Sequence, residues 1–292
     1  MKRSKILSLI LILFLLTIVP AQSQMLWRSA KTMKKGTFIA MTSGFHMGFN
    51  RSYNWSEEEW IDYSNDKSYT WFCFSSMFGF ALSNRIEAMI HLPLDFKSRE
   101  STGSDLSASG FGDIFVKTRV SVFPWAKDKH GLTLTGAARF STGDKEAEIA
   151  LGDGSTDFAL GGIFTTAWMG KFRGHMKANY WLNGKNDSDY NIGDELKFIA
   201  KLDHNFSPKF MGFLTYIYYS QFKLKDTDGN EIENSNKNRH YATIGCLIKP
   251  VKGIFIRPKV LVPLTAKGGS MYSFKPMIDF WYTFAIFKRS IK

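Results

Sequence analysis

From residue 36 onward the chain runs as a series of stretches in which apolar and polar residues alternate, and the breaks between them are by turns long and short. Alternation at period two puts apolar side chains on one face of a strand and polar ones on the other. Twelve such strands are read over residues 36–49, 68–82, 85–97, 110–123, 131–141, 156–169, 173–183, 193–206, 209–223, 239–249, 254–265 and 271–287. The long breaks at 50–67, 98–109, 142–155, 184–192, 224–238 and 266–270 are rich in Gly, Ser, Asn, Asp and Glu, which favour turns and solvent. The short breaks fall at 83–84, 124–130, 170–172, 207–208 and 250–253, several of them with a proline, whose missing donor suits a turn. A soluble sandwich has no need of this regularity. A membrane barrel with short periplasmic turns and longer extracellular loops does.

The first residues agree with export. Lys2, Arg3 and Lys5 precede an apolar run from Ile6 to Val19, followed by Pro20 and the small-residue site Ala21-Gln22-Ser23. This is the layout of a cleavable signal peptide, read as residues 1–23, and the run is shorter than the roughly 20 residues a spanning helix requires. Residues 24–292 then form one domain, since no linker or composition break divides them. No later segment approaches the roughly 18 consecutive apolar residues of a membrane helix. The expectation is an all-β transmembrane antiparallel β-barrel of about 12 strands, placed in a Gram-negative-type outer membrane with lipid around it. The formal charge of +12 is scattered through the strands rather than gathered into a patch, which argues against a nucleic-acid partner.

Strand parity assigns the faces. In the third strand Ile86, Ala88, Ile90, Leu92, Leu94 and Phe96 oppose Arg85, Glu87, Met89, His91, Pro93, Asp95 and Lys97. The same reading of the fourth strand sets Ile114, Val116, Val120 and Val122 against Asp113, Lys117, Arg119 and Ser121. In a barrel the apolar set meets lipid and the charged set lines the lumen. Further lumen candidates are Arg139 and Asp157, then Arg173, His175 and Lys177, then Glu195, Lys197, Lys201 and Asp203. The last strands add Arg257, Lys259, Lys275 and Asp279. Bases outnumber acids in this set, so an open lumen is expected to lean towards anions. Cys73 and Cys246 fall on opposite faces of distant strands and are read as unpaired. Aromatic girdles are expected at Phe80, Phe123, Trp125, Trp168, Phe172, Phe206 and Phe210 near the short turns. A second girdle is expected at Phe49, Tyr69, Phe96, Phe111, Phe140, Phe158 and Tyr272 near the long loops. Phe280, Tyr282, Phe284 and Ile286 alternate in the last strand and Phe287 is the last aromatic, which resembles an insertion signal and makes the barrel-assembly machinery the expected folding partner.

Three glycine-acid clusters stand in the middle of the chain: Ser109-Gly110-Phe111-Gly112-Asp113, Ser141-Thr142-Gly143-Asp144, and Leu151-Gly152-Asp153-Gly154-Ser155-Thr156-Asp157. With Asn183-Gly184 and Gly193-Asp194-Glu195 they resemble the outer-membrane family of meta-pathway phenol-degradation-like transporters over roughly residues 109–195. The second cluster departs from that family's Pro-Thr-Gly-Asp, with Ser141 in place of the proline. The resemblance implies an outer-membrane barrel associated with uptake of small, often aromatic or hydrophobic compounds, and it brings no catalytic residues with it.

Other chemistry finds little footing. His46, His91, His130, His175, His204 and His240 are available as bases, but none precedes the His-x-Ser-Asn-Gly pattern of outer-membrane phospholipases. The acidic residues of 142–155 and Glu57, Glu58 and Glu59 fit no Ca²⁺-binding template. Glycine-rich segments lack the Gly-Lys-Ser/Thr of a phosphate cradle. The expectation is therefore a passive channel or facilitator for small solutes, without cofactor, metal or catalytic residue. The alternatives are a structural or adhesive barrel with a plugged lumen and, further off, an outer-membrane lipid hydrolase.

Overall fold

In a computed structural model the described residues are 29–64, 67–101, 103–126, 130–168 and 171–285. The signal peptide read over 1–23 and Phe287 lie outside them, as do the side chains of Trp125 and Trp168. Twelve staves form the wall: β1 (Thr37–Asn54), β2 (Ser68–Ala81), β3 (Ile86–Ser101), β4 (Ile114–Ala126), β5 (His130–Phe140) and β6 (Asp157–Trp168) make the first half. β7 (Phe172–Leu182), β8 (Glu195–Asn205), β9 (Phe210–Gln221), β10 (Lys237–Ile248), β11 (Ile254–Lys267) and β12 (Lys275–Ala285) make the second. Each stave pairs antiparallel with the next. β1 also pairs with β12, from Thr37↔Ala285 to Phe45↔Met277, and that ladder closes the barrel. No described helix is long and apolar enough to cross a membrane.

Parity decides which way each side chain points. Along β3, Ile86 and Ile90 are exposed while Glu87, Met89, His91 and Asp95 are buried. Leu160 is 74% exposed and Ile244 65%, whereas Glu87, Asp157 and Asp279 are fully buried. A soluble protein has the opposite arrangement, with apolar groups inside and ionised groups outside. An apolar exterior of this extent is a lipid-facing surface, and the closed ladder leaves no wall strand with unpaired backbone towards hydrocarbon.

Three local expectations change. Residues 98–109 are not a loop: β3 runs on to Ser101 and hairpins back through Ser104–Phe111, with Ser101 opposite Ser104. Leu106, Ala108 and Gly110 alternate there with more exposed residues, so the segment has strand periodicity beneath its serine content. β1 likewise extends to Asn54 and pairs with Glu59–Asp62. The break at 266–270 is short of a true loop, because Ser270–Tyr272 pairs with β1.

The girdle near the short turns holds for Phe123, Phe172, Phe206 and Phe210, all exposed. Near the long loops Phe96, Phe111, Phe140 and Phe158 are exposed, but Phe49, Tyr69 and Tyr272 are not part of that belt. Phe49 continues the inward series of Phe45 and Met47, with its ring 5.0 Å from Tyr69 and 5.7 Å from Tyr272. Both cysteines are free, Cys73 buried in the interior and Cys246 half-buried on β10.

A charge placed on the outward face at mid-strand costs roughly 2–4 kcal/mol. Ile90→Arg and Val120→Arg are expected to lower the folded yield in lipid vesicles by that amount, read from heat-modifiable gel mobility in a urea series. Lys117→Ala, on the inward face, is expected to fold like the parent. Equal behaviour of all three would overturn the assignment of faces.

Candidate functional site

The interior is filled unevenly, and its floor is made by the chain's own N-terminal segment. Residues 29–36 cross the lumen at the end of the short turns before entering β1. The Ala30 N–H donates to Thr165 Oγ1 on β6 at 2.8 Å, and Thr133 Oγ1 on β5 donates to the Ala30 carbonyl. Arg119 on β4 donates to the Ser29 carbonyl at 2.5 Å, and the Met33 N–H donates to Glu87 on β3. Thr32 and Lys35 then bond Asn84 in the β2–β3 turn. Ala30 and Met33 are buried, and Met33 packs with Ile39 and Ala81 beside Trp281. These bonds pin a strap from one wall to the other.

Charged side chains below and beside the cavity occur as ion-paired clusters. Arg119 pairs with Glu87 at 2.8 Å. Asp279 receives Arg257 at 2.6 Å and also Lys259. Asp203 receives Lys201 at 2.5 Å and His175 Nε2 at 2.8 Å, while His175 Nδ1 meets Thr165 Oγ1 at 3.0 Å. With the Ala30 N–H donating to Thr165, that hydroxyl donates to Nδ1 and the imidazole proton sits on Nε2, so the chain of bonds is complete.

Above the strap lies a cavity of about 470 Å³. Of the sequence-predicted lumen residues, His91, Lys117, Arg119, Arg139, Lys177, Glu195, Lys197, Arg257 and Lys275 line it. Glu87, His175, Lys201, Lys259 and Asp279 are buried in the clusters just described. Asp95 is buried and accepts the Trp71 indole N–H at 3.0 Å. Asp113 belongs to the loop network described next. Arg173 is exposed near the β6–β7 turn, as is Arg85 beside the β2–β3 turn. The cavity further includes Lys237, Arg239, Met41, Met77, Met89, Tyr219 and Trp281. Parity reading recovers the methionines only as breaks in a polar face, and Lys237 and Arg239 lie at the margin of the tenth strand as read from sequence. An interior apolar cluster of Phe45, Met47, Cys73, Ile199, Ile217 and Leu261 completes one side of the lumen.

The glycine-acid clusters form the entrance. The Asp113 carboxylate accepts the backbone N–H groups of Thr142, Gly143 and Asp153 at 3.1, 3.0 and 3.2 Å. Arg139 binds Asp153 at 2.5 Å and also Asp157, which accepts the Gly184 N–H at 2.8 Å. Burial holds the Asp153 carboxyl above its ordinary range, with Arg139 opposing that shift. A Cβ on Gly143 would stand 2.6 Å from the Gly152 nitrogen, so the two halves of the loop approach too closely for a side chain. Leu151 is buried by the resulting fold of residues 141–156. The next loops are joined as well: Lys185 bridges Asn191, which bridges Lys225.

Ser75 Oγ meets His91 Nε2. His91 Nδ1 has no hydrogen-bond partner among the described residues, so nothing there fixes the imidazole as the third member of a nucleophile–base arrangement does. No group of three or more possible metal ligands occurs among the described residues.

Asp113→Ala strips three backbone donors of their acceptor, at about 1–3 kcal/mol for a buried group left unpaired. The barrel is expected to persist by gel mobility while trypsin cleaves after Lys145 faster than in the parent. Unchanged protection of residues 141–156 would show that Asp113 does not hold the loop.

The fold is shared with known outer-membrane barrels. The COG4313 outer membrane channel from Pseudomonas putida F1 superposes with a TM-score of 0.76 at 12% identity, covering 87% of this chain and 98% of that one. The beta domain of the Bordetella autotransporter BrkA gives 0.52 at 10% identity, covering 86% and 100%. The NanC porin gives 0.51 at 8%, covering 84% and 98%. No curated protein matches in sequence. At these identities the likeness is one of architecture. The family is carried instead by the sequence itself: residues 81–251, which include the entrance network, match the family described as "Putative MetA-pathway of phenol degradation", and the chain belongs to it.

Proposed function

We propose that this protein is an outer-membrane channel through which small solutes pass passively and anions pass more readily than cations. The observation that carries the reading is the cavity itself: about 470 Å³ of space lined by many lysines and arginines and by the single carboxylate of Glu195. Low-dielectric walls focus the field of like charges and draw counter-ions in. The apolar exterior supports a barrel in a bilayer, and the likeness to an outer-membrane channel and a porin supports the outer membrane as that bilayer. Passage needs no chemistry, and many of the interior acids are engaged in holding the strap, the wall and the entrance.

A plugged structural barrel is the second reading, and the strap of residues 29–36 favours it. Fastened by Thr133, Thr165, Glu87 and Arg119, the strap narrows the periplasmic end and keeps any conductance small. Each hydrogen bond removed weakens it by about 1 kcal/mol.

Planar-bilayer recording of the refolded protein across a salt gradient separates the two. The expected reversal potential is anion-selective and shrinks as salt screens the lining over a Debye length of about 10 Å at 0.1 M. Thr133→Val with Thr165→Val is expected to raise the unitary conductance by loosening the strap. Cation selectivity would contradict the charged lining. Absence of current from both proteins would favour the plugged barrel.

A further inference from the structure

The cavity lining carries two unlike surfaces, and their pairing names a ligand. Met41, Met77 and Met89 pack together with Trp281 beside them, a surface of thioether sulfur and indole. Elsewhere on the lining stand Lys117 of β4, Lys177 of β7 and Lys197 of β8, all within electrostatic range of one another. Among the described residues these three ammonium groups make no ion pair. Lys117 lies 4.6 Å from the Phe115 ring centroid and Lys197 6.0 Å from that of Tyr219. With the Asn179 amide turned to satisfy its neighbours, its oxygen receives Lys177 Nζ at 3.2 Å. The acids that neutralise the rest of the lumen are already committed elsewhere, Glu87 to Arg119, Asp203 to Lys201 and Asp279 to Arg257 and Lys259.

Clustered like charges that outnumber their one neighbouring carboxylate, Glu195, in a space of the size that ordinarily holds a small ligand, make an anion site. The apolar surface beside them, in which Met89 is the cross-strand partner of Lys117, selects what the anion is attached to. Methionine sulfur and the indole ring face both gain from contact with an aromatic ring, and neither of these surfaces offers a hydrated inorganic anion a donor to replace its water. We infer that the lumen binds an aromatic carboxylate, its ring against Met41, Met77, Met89 and Trp281 and its carboxylate among Lys117, Lys177 and Lys197. This rests on the reading of the lumen as a solute path and adds its ligand class: a charged aromatic acid rather than a neutral aromatic.

The test is equilibrium binding to the refolded full barrel in nanodiscs, by calorimetry, with benzoate, cyclohexanecarboxylate, acetate and benzyl alcohol as probes. Benzoate is expected to bind at least about tenfold more tightly than acetate or benzyl alcohol, the scale of one charge-assisted contact or one buried ring. Cyclohexanecarboxylate should fall between benzoate and acetate. Lys177→Met and Lys117→Met should each weaken benzoate by about tenfold and leave benzyl alcohol unchanged, with folding checked by gel mobility. Met77→Ala should weaken benzoate and spare acetate. Equal affinity for benzoate and benzyl alcohol in the parent would overturn the carboxylate, and indifference to both lysine substitutions would overturn its location. Binding is read without current, so a barrel that binds benzoate but never conducts retains this site and loses the channel. One that conducts without preferring benzoate does the reverse.

Discussion

Hydrocarbon offers no hydrogen-bonding partner, so every stave of this wall needs a neighbour on both sides, and the β1–β12 ladder supplies the last one. Closure fixes the parity of all twelve strands at once. A one-residue slip would turn the charged face of β3 or β8 into lipid, at several kcal/mol for each ion exposed. The interior thus inherits every ionisable group in the pattern, and its architecture is the answer to where those charges go.

The answer differs along the lumen. Acids near the short turns are each matched to a base or to the strap, as with Glu87, which serves Arg119 and the Met33 N–H together. Acids at the long-loop end are spent on backbone and on Arg139. The lysines in between have aromatic rings, one amide oxygen and the carboxylate of Glu195 for company. A buried pair contributes little net stability, since desolvation offsets the attraction, but an unpaired group would cost several kcal/mol. The ion-paired clusters are therefore best understood as positioning devices that hold the strap and the entrance. The unsatisfied lysines are where a mobile anion lowers the energy of the whole lumen.

Much of this was legible in the sequence because the period-two signal is strong wherever one face meets lipid. Ile86 to Phe96 against Glu87 to Lys97 needs no tertiary knowledge. What was not legible depended on contacts between distant residues. Ser104–Phe111 carries strand alternation under a loop-like composition, and pairing with β3 decides the matter. Phe49 and Tyr272 look like belt aromatics from their position near strand ends, yet they turn inward to close the apolar side of the lumen. Ser29-Ala30-Lys31 has no pattern at all. Its place on the lumen floor is set by Thr133 and Thr165, more than a hundred residues away.

Family membership bears on these parts unequally. The matched stretch, residues 81–251, contains Asp113, Gly143, Gly152, Asp153 and Asp157, and in this chain they tie a long loop to the wall. A network with that task shapes an entrance rather than a cargo site. Lys117, Lys177 and Lys197 also lie inside the stretch, but Met41, Met77, Trp281 and Lys275 lie outside it. Apart from Met89 of β3, the thioether and indole surface is thus built from β1 and β12, which make the closing seam, and from β2 beside them. A barrel could keep its entrance and its lysines while exchanging that wall, because side chains facing a cavity are free of the close packing that constrains a filled core. Discrimination between solutes of equal charge should therefore reside chiefly at the seam, and the loop network of Asp113 and Arg139 should govern how a solute enters.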